Sequence, residues 1–248
     1  MIMLDLQGYG ESLFYGAILT LEVALLSLLL AVVLGMLGAL AKIAPYRSTK
    51  IIATLYTTVI RGIPDLVLMM LIFFGGQILL NNTLYSTNEL INEWMVYFIP
   101  SHEWAEYLPD YVDISPFSAG VVTIGFIFGA YMAETFRGAI LAVDIGELEA
   151  AKAYGMSPFM SFRRILLPQM MRHALPGFGN NWLVLLKTTA LVSIIGLEDM
   201  VRVGNLAAGS TKMPFTFYMA IAIIFLVFSS VSSGLFKLAE RKFSIRTN

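Results

Sequence analysis

The chain has 248 residues, of which 58% are apolar and only 13% are charged, and its net charge is −1. This balance leaves too little polar surface for an ordinary soluble enzyme or a disordered regulator, and it supplies no cationic field for nucleic acid. The sequence contains no cysteine, and its two histidines, His102 and His173, lack the spacing of metal ligands. We therefore predict a polytopic membrane protein that binds neither nucleic acid nor metal.

Five apolar tracts are long enough to cross a bilayer as helices, since about 20 residues span ~30 Å of hydrocarbon. None of the tracts shows the strict alternation of a transmembrane β-strand, which argues against a barrel. The sequence therefore predicts an all-α protein with a single transmembrane domain of five helices. The predicted helices cover residues 13–41, 51–80, 117–136, 170–195 and 215–236.

Basic residues predict the orientation of these helices. The segments that follow the first, third and fifth tracts hold twelve of the sixteen Lys and Arg residues, whereas the loop 81–116 has six acidic residues and no basic one. Because basic residues concentrate on the cytoplasmic side, we predict a periplasmic N-terminus, a periplasmic loop at 81–116 and a cytoplasmic C-terminus. Lys42 is the first basic residue, so a cleaved signal peptide is not expected.

The predicted periplasmic loop mixes its acids with aromatic residues such as Trp94 and Tyr97. Two interpretations stay open for this loop, part of which can be helical. Its aromatic residues can form an interfacial belt that anchors the helices, or the loop can be a docking surface for an external partner.

The cytoplasmic loop after the third tract is predicted to form two short helices that meet at an angle. Asp144 and Glu147 have the spacing of a capping box, and Gly155 stands where a glycine would end the first helix. Ser157 can cap the second helix, which Pro168 is expected to close. A small, capped, exposed helix suits the groove of another protein, and an ordinary amphipathic connector is the alternative.

This loop, residues 144–168, resembles the EAA signature of ATP-binding-cassette (ABC) importer permeases. The matching positions are Glu149-Ala150-Ala151, Gly155 and, after nine further residues, Ile165-x-Leu167-Pro168. The resemblance implies the type I importer permease fold, called MetI-like, in which this loop is the coupling helix that docks into an ATPase subunit. It implies that coupling role here for Glu149, Ala150, Ala151, Gly155 and Ser157.

Further motifs are similar to those of permeases for polar amino acids, above all the subunit type that serves histidine and lysine, arginine and ornithine. The loop 81–116 is longer than is usual for that subunit. The motifs are Gly16–Leu21, Arg61-Gly62-Ile63-Pro64 followed by Asp65, Ala130–Gly138, Gly179–Trp182, Lys187–Leu191 and Gly196–Asp199.

The resemblance implies the permease subunit of an ATP-driven importer for polar, specifically cationic, amino acids in the bacterial cytoplasmic membrane. The chain has no P-loop, so it is expected to be non-catalytic and to bind no cofactor, with ATP and Mg²⁺ held by ABC ATPase partners. Its other implied partners are a sister permease subunit in a heterodimer, a periplasmic substrate-binding protein, the amino-acid substrate and membrane lipid.

The alternative function is a secondary amino-acid transporter or channel that works without an ATPase. That alternative predicts internal repeats with paired broken helices, and the sequence shows no convincing pair. An intramembrane enzyme would need a nucleophile–base pair or metal ligands within the spans. A scaffold protein would not need ionisable residues in the middle of its spans.

Two ionisable residues lie near the middle of the second predicted span. Such groups cost ~2.5–3.5 kcal/mol each near the bilayer centre, so they normally face a cavity or a partner. Arg61 and Asp65 are four residues apart, with Pro64 between them. They can pair with each other and support a kink at Pro64, or Asp65 can be a cavity carboxylate that recognises a cationic side chain.

The third and fourth spans also contain ionisable residues. Glu134 is predicted to pair with Arg137 one turn further on, in a structural or gating role, with a place in the substrate path beside Arg61 and Asp65 as the alternative. Lys187 can partner Glu134 or face the substrate path. Pro64 and Pro176 each interrupt the hydrogen-bond ladder of a span and are predicted hinges.

Glycines within the predicted spans are expected to be positions where helices pack closely, with lipid-facing positions as the alternative. These glycines are Gly35, Gly38, Gly75, Gly76, Gly125 and Gly129.

Overall fold

The computed structural model describes residues 6–101, 103, 107–109 and 111–243, so His102 lies outside the described residues. Over that part of the chain the fold is all-helical, as predicted, and five helices are long and apolar enough to cross a membrane: α1, α3, α4, α6 and α8. The helices, numbered in chain order, are α1 (Gly10–Ile43), α2 (Arg47–Gly62), α3 (Asp65–Phe98), α4 (Pro116–Leu141), α5 (Ile145–Ala153), α6 (Pro158–Ile195), α7 (Met200–Thr211) and α8 (Pro214–Phe243).

Helices α1 and α4 run side by side in the same direction and form the centre of the bundle. Their contacts advance together along both helices, from Ser27 on Val121 to Lys42 on Glu134. Gly35 brings the two backbones together, because a methyl group there would overlap the Met132 side chain and lie 3.0 Å from the Met132 carbonyl carbon. Two spans that run in the same direction must be separated along the chain by a span of the opposite direction. This packing therefore agrees with α1 and α4 as the first and third spans.

Helix α6 runs antiparallel to α4 on another face of it. Gly177 of α6 lies against Thr135, whereas Val192, near the other end of α6, lies against Gly120. The Asn181 side chain donates a hydrogen bond of 2.9 Å to the Thr135 hydroxyl, which fixes the register of the two helices. The ends of α1 and α4 and the start of α6 therefore lie at one end of the bundle, which we call the basic end.

The second predicted span, 51–80, is not one continuous helix. Helix α2 stops at Gly62 because Ile63 is extended, with φ −108° and ψ 139°, and Pro64 offers no N–H to continue the ladder. The break at Pro64 is thus confirmed. Helix α3 then continues to Phe98 through a π-helical turn at Leu71–Gly75, so the predicted helix end at residue 80 is wrong, and residues 81–98 are the helical part of the predicted loop.

Polar side chains on α3 explain why this helix continues past the end of the apolar tract. Gln77 accepts a hydrogen bond from the Ile114 N–H at 2.8 Å, and Asn81 accepts one from Val112 at 2.8 Å. Asn88 accepts one from Leu108 at 3.0 Å and is buried, together with Asn92. The returning chain thus satisfies its backbone on the side of α3, and the two form a long outer hairpin.

The two short helices of the loop 144–168 and the turn between them are called the elbow. The expectation that Pro168 closes the second elbow helix is wrong. Helix α6 runs through this proline because a π-helical turn, Phe162–Leu166, precedes it, with the Leu167 N–H bonded to the Phe162 carbonyl. The wider turn accommodates a residue that cannot donate to the regular ladder. Helix α6 therefore begins at Pro158, not at residue 170, and ends in a 3₁₀ segment, Thr189–Ile195.

Helix α7 was not predicted, and it starts at a buried carboxylate. The Asp199 side chain is 1% exposed, and its Oδ1 accepts a hydrogen bond of 2.9 Å from the Arg202 N–H. Its Oδ2 has no hydrogen-bond partner among the described residues. Because burial disfavours the charged form, it raises the pKa of Asp199 to about 6.

We expect Asp199 to make the protein more stable at acidic than at neutral pH. Its folded-state pKa lies above that of an exposed carboxyl group, so the folded state holds a proton that the unfolded chain has lost between about pH 4 and 6. The free energy of unfolding should fall by roughly 2–3 kcal/mol as the pH rises through this window. Asp199→Asn keeps the capping oxygen and should flatten that dependence.

Thermal unfolding of the detergent-purified chain between pH 4 and 7.5, followed by tryptophan fluorescence, measures this effect. Asp144→Asn is the matched control, since Asp144 also caps a helix but is exposed. If Asp199→Asn keeps the pH slope of the parent protein, the buried carboxylate is not its source.

Candidate functional site

The predicted elbow between α4 and α6 is present, and its first helix has the expected N-cap. The Asp144 carboxylate accepts a hydrogen bond of 2.8 Å from the Gly146 N–H. The prediction that Glu147 completes a capping box is wrong, because its carboxylate accepts a hydrogen bond from the Gln169 side chain instead. This second bond ties the elbow to the start of α6.

Gly155 ends the first elbow helix in the way that the sequence predicts. It has φ +75°, in the left-handed region that favours glycine. The Gly155 N–H bonds to the Lys152 carbonyl at 3.0 Å, and the Met156 N–H bonds to the Ala151 carbonyl at 3.0 Å. These two bonds form a Schellman motif, which satisfies carbonyls at the helix end and turns the chain sharply.

Ser157 starts the second elbow helix and confirms its predicted capping role. Its hydroxyl oxygen accepts a hydrogen bond of 3.3 Å from the Met160 N–H, and Pro158 follows at the first helical position. The turn between the two helices is therefore only four residues long, from Tyr154 to Ser157, and its geometry is fixed at both ends.

The outer surface of the elbow is exposed and partly apolar. Glu149, Ala150 and Gly155 are all exposed, whereas Ala151 is 2% exposed and packs towards the bundle. Large apolar side chains flank them: Ile145 is 69% exposed, Tyr154 88% and Phe159 71%. Exposed apolar groups beside small residues, on a rigid turn, are typical of a surface that another protein covers.

A charged cluster lies beneath the elbow, where α1 and α4 end. Glu134 accepts hydrogen bonds from Lys42 and, at 3.0 Å, from Arg137, so the predicted Glu134–Arg137 pair is confirmed. The Lys42 side chain is only 9% exposed and also donates a hydrogen bond of 2.6 Å to the Thr57 hydroxyl. The cluster thus joins α1, α2 and α4 at the basic end.

Arg61 and Asp65 stand on either side of the helix break at Pro64. The sequence allowed an ion pair between them, but their side chains form none with each other in the described structure. The Arg61 guanidinium lies instead 5.4 Å from the centre of the Tyr131 ring, within the range of a cation–π contact. Asp65 is half-buried at the first position of α3, where the helix dipole favours a negative charge.

Helix α6 presents a stripe of exposed residues along one face. They recur at intervals of three or four residues, which places them on a single side of the helix. The stripe consists of His173, Pro176, Asn180, Val184 and Lys187. Lys187 thus lies on this exposed face, and the structure brings Glu134 together with Lys42 and Arg137 instead.

Two residues of these clusters, Lys42 and Tyr131, are not predicted as site residues by the sequence. Lys42 lies in the last turn of α1, and a basic residue at that place is the signal for a partner across the basic end. Tyr131 belongs to the Ala130–Gly138 motif. Its aromatic ring, in a span that also holds Glu134, was the available signal for a cation–π contact with Arg61.

The described helices form a polytopic membrane bundle with a rigid, exposed elbow at its basic end. The family model described as "Binding-protein-dependent transport system inner membrane component" matches residues 11–245, and the chain belongs to this family. The ABC importer permease fold predicted from the sequence is thereby confirmed, and membership implies ATPase and binding-protein partners.

Individual relatives agree with this assignment. The chain is 49% identical over 240 residues to the Salmonella typhimurium histidine/lysine/arginine/ornithine transport system permease protein HisQ, covering 97% of this chain and 96% of that protein. The Escherichia coli HisQ protein is 47% identical over the same shares of both chains. A solved structure described as an amino acid ABC transporter with histidines has a TM-score of 0.75 at 31% identity, covering 98% of this chain and 99% of that one.

Proposed function

We propose that the chain is one permease subunit of an ATP-driven importer for cationic amino acids. The single observation that carries this proposal is the elbow, whose caps, positive-φ glycine and exposed apolar rim form a rigid docking surface. The substrate class is supported by the relatives, two of which are named for histidine, lysine, arginine and ornithine transport.

The elbow couples the chain to the ATPase subunits. Glu149, Ala150 and Gly155 form the exposed contact with the ATPase, while Ala151 and Ser157 hold the two elbow helices in position. ATP and Mg²⁺ are bound by the ATPase subunits. Because the elbow is bonded to α6 through Glu147 and Gln169, a movement of the ATPase is transmitted directly to that span.

The substrate path runs along polar groups that the chain itself leaves exposed. In a membrane such groups must face water or another subunit. The stripe on α6 that ends at Lys187 and the exposed Arg61 beside Asp65 satisfy this condition. A sister permease subunit in a heterodimer covers the other side of the path, and Pro64 and Pro176 act as hinges on which the spans tilt.

The orientation follows from the charges. The basic end, with the elbow and the end of α8, faces the cytoplasm, and the N-terminus together with the outer hairpin faces the periplasm. The hairpin exposes Glu89, Glu93, Trp94 and Tyr97 on α3, an acidic and aromatic surface that suits docking of the substrate-binding protein.

Reconstitution in proteoliposomes tests the proposal. The chain is assembled with its sister permease and ATPase, with binding protein and radiolabelled arginine outside and ATP inside. We expect arginine uptake only when ATP and binding protein are both present. Uptake at the full rate without the ATPase would instead establish a secondary transporter or channel.

We expect Asp65→Asn to reduce uptake of cationic amino acids more than uptake of neutral ones. A lost charge-assisted hydrogen bond costs ~1.5–3 kcal/mol, which corresponds to a loss of roughly tenfold or more for arginine. Uptake of labelled arginine and of labelled glutamine, followed in parallel, measures the difference. The control is Glu11→Gln, which removes an exposed carboxylate from the first turn of another span. Equal losses for both substrate classes would reduce Asp65 to a structural role at the start of α3.

A further inference from the structure

A groove lies beside α2 at the basic end of the bundle. Its inner part has a volume of about 340 Å³ and lies between Lys42 and Arg137. Its outer part, of about 610 Å³, is an open face that is lined by residues of α2 alone and runs past Ile51. Lys50 and Thr54 line both parts, so the two form one continuous space, which we call the α2 groove.

The α2 groove is positively charged. Four cations line it, and Glu134 accepts hydrogen bonds from two of them, Lys42 and Arg137. The other two, Arg47 and Lys50, are exposed, and their side chains make no hydrogen bond or ion pair within the described part of the chain. They lie three residues apart in the first turn of α2, so both can reach one anionic group.

The opposite end of the groove is apolar. Ile51 is 56% exposed and Leu55 is 62% exposed, and their spacing of four residues places them on one face of α2. Leu55 lies eight residues beyond Arg47, which is about 12 Å along the helix axis and less than half of the ~30 Å hydrocarbon core. The groove therefore passes from cations to hydrocarbon over the distance that separates the surface of a membrane from its interior.

We propose that the α2 groove binds an anionic phospholipid. The phosphate lies between Arg47, Lys50 and Arg137, and an acyl chain follows Ile51 and Leu55. Basic pockets between spanning helices at the membrane surface suit anionic head groups, and the charge of this groove is complementary to them. An acidic protein segment would match the cations but would leave the apolar half in contact with water or lipid. No residue that lines the α2 groove belongs to the elbow or to the proposed substrate path, so the site goes beyond the proposed transport function.

Native mass spectrometry of the assembled transporter tests the proposal. The complex is released from detergent that contains dioleoylphosphatidylglycerol or dioleoylphosphatidylcholine, and retained lipid is counted. We expect the anionic lipid to be retained in preference to the zwitterionic one. The double variant Arg47→Gln/Lys50→Gln should lower its retention by roughly tenfold to thirtyfold, given the attraction of anionic lipid for each basic residue.

The matched control is Lys237→Gln/Lys242→Gln, which removes two exposed cations from the end of α8, outside the groove. It should retain lipid like the parent protein. A second variant, Leu55→Asn, changes only the apolar half and should also lower retention of the dioleoyl lipid.

Several results would overturn the proposal. One is a double variant that loses no more lipid than the control, and another is equal retention of both lipids. Displacement of the lipid by inorganic phosphate at the same concentration would show a phosphate site without a role for the acyl chain. Loss of a protein subunit from the double variant, with lipid retention unchanged, would identify the groove as a protein interface. None of these results depends on transport activity, so they leave the proposed function untouched.

Discussion

Gly155→Val is expected to abolish most ATP-driven uptake, by tenfold or more, while the protein still inserts and folds. A β-branched residue in the left-handed region is strained by ~1–3 kcal/mol, so the Schellman turn between the two elbow helices should open. A methyl group built on Gly155 meets no atom of the described chain within 4 Å, so the packing of the bundle should not change. The substitution therefore acts on the angle of the elbow alone.

Uptake and ATP hydrolysis are measured together in proteoliposomes, with the amount of inserted protein as the reference. Gly155→Asn is the informative companion, because asparagine tolerates the left-handed conformation and should retain more uptake than valine. Gly209→Val is the control, since Gly209 also has open space around it but lies in a regular helix. Loss of insertion in Gly155→Val would make the elbow a folding element rather than a coupling element.

The elbow could be predicted because its signals are local. Asp144, Gly155 and Ser157 each act on backbone groups within five residues, so their identity and spacing are sufficient. The π-helical turn before Pro168 is different. It accommodates Pro168, but a proline at such a position more often ends or kinks a helix, so the sequence did not predict it.

The charged cluster combines one contact that is local in the sequence with one that is not. Arg137 is one turn from Glu134 and could be predicted as its partner, whereas Lys42 is 92 positions away. That contact exists only because α1 and α4 run parallel and end together. The same dependence on distant partners explains the missed outer part of α3, where the apolar tract ends but Asn81 and Asn88 find partners in a segment about twenty to thirty residues further on.

Gly35→Val is expected to destabilise the bundle by roughly 3 kcal/mol or more, the largest effect that we expect on folding. Gly35 is fully enclosed between α1 and α4, and any Cβ there would overlap Met132 and press on its backbone. Backbone atoms cannot rotate away as the end of a side chain can, so α1 would have to separate from α4. We expect a lower unfolding temperature in detergent and a smaller monodisperse fraction after size-exclusion chromatography.

Gly76→Ala is the control, and it should not lower the stability of the bundle. The sequence predicted close packing at Gly35, Gly75 and Gly76, with lipid-facing positions as the alternative. A methyl group on Gly75 or Gly76 meets no described atom within 4 Å, which matches the alternative as far as this chain's own atoms are concerned. Alanine in a helix is favoured over glycine by ~0.5–1 kcal/mol, so this variant should be unchanged or slightly stabilised. A similar loss of stability in both variants would mean that helix α3 is covered at Gly76 in the folded protein.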